Sequence, residues 1–207
     1  LARLFNEVEL KTLEDKNRPL ILAGWSTGGL LVTRILQAPM FFIRPSRPIQ
    51  AALLFTPGVS VYKIVGKNGY VTEDTLTSNP NVPHLSPPKP TTPFAHPVFA
   101  GYLLFNSYLA QAQPMPSNVP VLTFVADYKL DVYANSQGIV DWVNHQRREH
   151  QAPISAVYCH GGKHELDNEI EPIAQDVRNI SAQFLMSVMA KSNSTQKEKA
   201  SNNCVAF

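Results

Sequence analysis

The sequence predicts an α/β fold, a mainly parallel sheet flanked by helices and interrupted by a proline-rich insertion. Short apolar runs at residues 20–23, 49–55, 119–125 and 154–158 have the length and composition of buried strands. Apolar residues at helical spacing follow these runs, so strands and helices alternate, as a parallel sheet requires. The 17 prolines are unevenly spread, and between Pro80 and Pro120 they crowd a stretch without clear periodicity.

The elements follow in chain order. Residues 1–13 place Leu1, Leu4, Phe5 and Val8 on one helical face, opposite Glu7, Glu9 and Lys11. After a polar connector comes the first strand, then a helix to about residue 38 carrying Leu30, Leu31, Ile35 and Leu36. A loop over residues 44–48 leads to the second strand, which Thr56-Pro57-Gly58 ends. Leu76-Thr77-Ser78-Asn79-Pro80 reads as a turn, residues 87–93 as extended, and residues 99–112 as an aromatic-rich helix. An apolar segment set between two core strands has the character of a lid over a greasy pocket. Beyond the third strand, residues 135–148 form a helix with Ile139, Val140, Trp142 and Val143 inward. The fourth strand is followed by a long amphipathic helix over residues 170–189. Residues 191–207 are polar and read as a flexible tail. The expected division is therefore a core over residues 1–57 and 118–190, a cap over 58–117 and the tail.

Composition bounds the function. The chain has 207 residues, 44% hydrophobic and 16% charged, enough for one sizeable core. A net charge of +2 gives no electrostatic case for nucleic acid. Nothing calls for a metal or an organic cofactor. The two cysteines, Cys159 in a strand and Cys204 in the tail, are not expected to form a disulfide framework. A reducing, cytoplasmic setting follows as the default. The terminal Cys204-Val205-Ala206-Phe207 fits a prenylation pattern loosely. Asn179 and Asn193 open Asn-x-Ser/Thr sequons that matter only in a secreted protein.

The chemistry centres on Gly24-Trp25-Ser26-Thr27-Gly28-Gly29, directly after a strand and before a helix. A serine on so sharp a turn is lifted clear of the sheet, and Gly24 and Gly28 offer no Cβ to clash with neighbouring backbone. The Thr27 N–H, at the start of the helix, is placed to hold a developing oxyanion. A serine hydroxyl needs a base, and His164 follows the fourth strand. His84, His96, His145, His150 and His160 are the other histidines, and none shares that setting. A carboxylate must hold the second ring nitrogen. Asp127, adjacent to the third strand's end, is the favoured acid; Asp131, one turn later, is the alternative.

With these residues placed, the chain resembles the lysophospholipase and monoacylglycerol lipase-like serine hydrolases of the α/β-hydrolase fold. The elbow is similar to the family's, with Trp25 where a histidine is common. Leu76-Thr77-Ser78-Asn79-Pro80 is similar to the motif opening the family's cap, and the stretch from Ala126 to Asp131 to its acid-bearing segment. Gly162-Lys163-His164-Glu165-Leu166-Asp167-Asn168-Glu169 resembles its histidine loop and is the most specific match. The resemblance implies a triad of Ser26, Asp127 and His164, monoacyl lipid or other carboxylic ester substrates, and contact with membranes through the cap. Family members carry several strands before the elbow strand and a His-Gly loop giving a second oxyanion donor. Here one predicted helix precedes the first strand, so the N-terminal part of the fold is expected to be lacking. The alternatives are a peptidase or acyltransferase of the same fold, or a catalytically impaired fragment acting as a binding domain.

Overall fold

The structure, a computed structural model, describes residues 18–38, 48–61, 76–81, 97–190 and 203–207. The expected helix over residues 1–13, the extended stretch at 87–93 and the tail over residues 191–202 lie outside the described residues, as do His84, His96 and Asn193.

The chain-order elements are β1 (Leu20–Trp25), α1 (Thr27–Gln37), β2 (Ile49–Phe55), α2 (Pro97–Ala112), β3 (Val121–Val125), α3 (Ser136–His150), β4 (Ile154–Cys159), α4 (Ile173–Met189) and β5 (Cys204–Ala206). The sheet runs in sequence order from β1 to β5. The first four strands are parallel, and β5 lies antiparallel to β4.

The alternation of strand side chains explains the two layers of helices. Ala52, Leu54, Val121, Val125, Ile154 and Ala156 share one cluster with Leu30 and Ile35 of α1, Leu103 and Ala110 of α2, and Ile139, Trp142 and Val143 of α3. The intervening residues Leu53, Leu122, Phe124, Val157 and Cys159 face Ile173 and Val177 of α4. Burying one such side chain is worth about 1.5–3 kcal/mol, so a shift of register by one residue would exchange the two faces at large cost. Because both faces are covered, the strands read as continuous apolar runs rather than as alternating ones.

The insertion meets this core through α2, which packs on α1. Trp142 Nε1 of α3 donates to the Ala110 carbonyl at 3.0 Å. The buried Gln146 side chain accepts the Met115 N–H at 2.8 Å and donates to the Gln113 carbonyl at 3.0 Å. These bonds satisfy backbone where α2 ends and β3 has yet to begin.

Two expectations fail at the C-terminus. Residues 204–206 are a strand rather than flexible tail, with Cys204 opposite Cys159 and Val205 opposite Tyr158. Cys159 and Cys204 form a disulfide. The polar stretch before it conceals so short a strand, and only its antiparallel return brings the two sulfurs together. The bridge removes the ground for a cytoplasmic setting, which rested on unpaired thiols. It also occupies the Cys204 thiol that the prenylation pattern would need. Among the described residues no helix is long and apolar enough to cross a membrane.

Candidate active site

β1 ends at Trp25 and α1 begins at Thr27, leaving Ser26 alone in the turn with φ 53° and ψ −118°. A positive φ at a residue with a Cβ is strained and persists only where the surroundings enforce it. Here the Ser26 N–H donates to the Phe55 carbonyl at 2.9 Å, and the Ser26 carbonyl accepts the Gly58 N–H at 2.8 Å and the Leu30 N–H at 3.1 Å. A Cβ on Gly24 would stand 2.4 Å from the Gly28 carbonyl oxygen, and one on Gly29 would stand 2.9 Å from Pro57 Cα. Gly28 differs from expectation, because nothing lies within 4 Å of where its Cβ would be. The close approaches that need glycine are at Gly24 and Gly29.

Ser26 occupies the N-cap position of α1, where a serine hydroxyl ordinarily caps the helix. It makes no capping bond. Its Oγ lies 2.7 Å from His164 Nε2 instead. The other ring nitrogen, Nδ1, lies 2.9 Å from Asp131 Oδ2. His164 is 3% exposed and Asp131 1%, so this row is dry at its far end. Asp131 Oδ1 accepts the Tyr133 N–H at 2.8 Å and the Ala134 N–H at 3.0 Å, which fixes the carboxylate's orientation.

The carboxylate at the imidazole is thus Asp131 and not Asp127, the one favoured from its place at the strand end. Asp127 Oδ1 accepts the Lys129 N–H at 2.9 Å and its Oδ2 the Gly161 N–H at 3.0 Å. It braces the turn that carries Asp131, whose own N–H donates to the Asp127 carbonyl at 2.8 Å. Nearby, the Tyr158 hydroxyl accepts the Tyr128 N–H at 2.8 Å. Burial and then the Asp127 charge raise its pKa, against the lowering pull of that bond, so the phenol stays neutral near pH 7.

The loop bearing His164 is held at its backbone as well. The His164 carbonyl accepts both Trp25 Nε1 at 2.9 Å and Thr56 Oγ1 at 2.8 Å. The imidazole sits 5.4 Å from the Trp25 ring and 5.0 Å from the Tyr133 ring. Thr56 and Tyr133 were not singled out by sequence reasoning. A polar residue directly at a strand's carboxyl end was the signal available for Thr56; Tyr133 offered none. Among the remaining histidines, His145 and His150 face each other on α3, and His160 lies against Tyr158.

A cavity of about 410 Å³ opens beside the serine, lined by Trp25, Ser26, Thr27, Gly28, Gly58, Val61, Leu76, Phe99, Tyr133, Ala134 and His164. Its walls are almost entirely apolar, and its polar groups gather where Ser26 and His164 meet. Thr27, the expected oxyanion donor, lines it as the first residue of α1.

No protein-family model matches the chain, and no curated protein matches it in sequence. Its structure is similar to that of a monoacylglycerol lipase from Paleococcus ferrophilus, with TM-score 0.60 and 16% identity over 90% of this chain and 74% of that one. It is also similar to a lipase in an open form, with TM-score 0.54 and 17% identity over 90% of this chain and 72% of that one. At such identities the likeness establishes the fold alone, and with the parallel sheet, the elbow after β1 and the flanking helices, the fold of this chain is that of the α/β-hydrolases.

Proposed function

We propose that the chain is a serine ester hydrolase acting on monoacyl lipids, such as monoacylglycerols or lysophospholipids, through an acyl-enzyme on Ser26. The observation that carries this reading is the hydrogen-bonded row from Ser26 Oγ to His164 at 2.7 Å and on to Asp131 at 2.9 Å, opening on an apolar cavity. The lipase names of the two similar structures agree with it.

In this mechanism, Ser26 Oγ attacks the ester carbonyl as His164 Nε2 takes its proton. Asp131 holds the ring through Nδ1 and stabilises the imidazolium. The Thr27 N–H, at the positive end of α1, faces the oxyanion of the tetrahedral intermediate. His164 then gives its proton to the leaving alcohol, and a water activated by the same nitrogen releases the fatty acid. The apolar walls take the acyl chain. Residues 58–117 serve as the cap, and α2 presents Val98, Phe99, Tyr102, Phe105 and Tyr108 outward as its contact with lipid aggregates.

Hydrolysis of a monoacylglycerol, followed by fatty-acid release, tests the reading with Ser26→Ala as control. Turnover in the native chain that falls by about 10⁴ or more in the variant supports it. Equal release by both proteins, or hydrolysis of a proline amide in preference to the lipid, refutes it.

A further inference from the structure

Glu169 is 1% exposed and takes no part in the Ser26, His164 and Asp131 row. Its two oxygens are instead filled by backbone. Both accept the Ser78 N–H at 3.0 Å, Oε1 accepts the Lys163 N–H at 3.0 Å, and Oε2 accepts the Ile170 N–H at 3.1 Å. Three donors converge on one carboxylate, and only a group with two acceptor oxygens can serve them together.

These bonds join two stretches far apart in sequence. Alongside them, the Glu165 N–H donates to the Leu76 carbonyl at 2.8 Å and Thr77 Oγ1 donates to the Asn168 carbonyl at 3.0 Å. The residues on either side of His164 are therefore both tied down. Lys163 is tied to Glu169, and Glu165 to Leu76, whose side chain lines the cavity beside Ser26.

We infer that Glu169 is a positioning residue that holds the cavity wall at Leu76 and the base at His164 as one unit, so that acyl-chain selectivity and base alignment depend on each other. The inference rests on the hydrolase reading above. A wall that moves drags the Glu165 N–H and the imidazole with it; a wall fixed by Glu169 keeps chain contact and proton transfer in step.

Glu169→Gln keeps the shape but turns one acceptor into a donor facing the Ser78 N–H. The test is kcat and KM on p-nitrophenyl butyrate and p-nitrophenyl dodecanoate for the native chain, Glu169→Gln, Leu76→Ala and the double variant. Glu169→Gln is expected to lower the dodecanoate-to-butyrate ratio of kcat/KM by on the order of tenfold, the scale of a sub-ångström misplacement at a reacting centre. Leu76→Ala lowers the same ratio, and adding Glu169→Gln to it leaves the ratio where Leu76→Ala put it. A merely structural role would depress both substrates equally. An unmoved ratio in Glu169→Gln, or independent effects in the double variant, overturns the inference. Should Glu169→Gln not fold, Ser78→Pro removes one donor from the exposed side of the clamp, and the ratio in that variant decides in the same way. A native chain inert toward both esters overturns the hydrolase reading and this inference with it; an active native chain with an unmoved ratio overturns this inference alone.

Discussion

Asp127 and Asp131 are four residues apart and have opposite surroundings. Asp131 is buried against His164 Nδ1 and two backbone N–H groups. Asp127 is partly exposed and spends both oxygens on the Lys129 and Gly161 N–H groups. The difference predicts a contrast. Asp131→Asn should lower kcat by about 10⁴, because an amide that donates to the ring enforces the wrong tautomer. Asp127→Asn should lower kcat far less and cost about 1–3 kcal/mol of stability through the loosened turn. Steady-state kinetics and denaturant melts of the two variants, side by side, check this. Sequence position could narrow the acid to these two residues but not choose between them. The choice depends on how the turn after β3 rolls, and a run of turn residues does not encode that roll legibly. Ser26 and His164 were legible because each follows a strand directly and has a glycine-bearing loop beside it.

At the scale of elements, the elbow is a contact between β1 and α1 so close that backbone touches backbone. Gly24 allows it, with the Gly28 carbonyl 2.4 Å from any added Cβ. Gly24→Ala is therefore expected to destabilise the fold by about 1–3 kcal/mol, since the atom to be displaced is main chain. Gly28→Ala meets nothing and adds a better helix former in the first turn of α1, so stability should be unchanged or rise by up to about 1 kcal/mol. Thermal melts of both variants separate the two positions, which the Gly-x-Ser-x-Gly pattern treats alike. Periodicity located β1 to β4 and all four helices of the described residues, because each buries a repeating apolar face. It failed for β5, where three residues at the end of a polar stretch carry no period and are held by pairing to β4.

For the whole molecule, the disulfide and β5 together close a loop between residues 45 apart, from the sheet through α4 and back to its edge. Constraining the unfolded chain in this way is worth up to about 4 kcal/mol on a loop-entropy account. Cys204→Ser should lower the melting temperature of the oxidised protein while leaving the row at Ser26 intact, and reductant should shift the native chain but not the variant. Identical melts with and without reductant in the native chain would show that the bridge adds nothing. The architecture as a whole was legible because alternation of strands and helices with short connections leaves few topologies. The pairing of Cys159 with Cys204 was not, since two cysteines in unlike settings give no spacing to read.

The central claim is that folding makes Ser26 a nucleophile through His164. The direct measurement is labelling of the folded chain with a fluorophosphonate, with the modified residue located by mass spectrometry in the native protein and in His164→Ala. The account predicts a single adduct on Ser26 that the histidine variant all but loses. An unlabelled native chain, an adduct on another residue, or undiminished labelling in His164→Ala would contradict it.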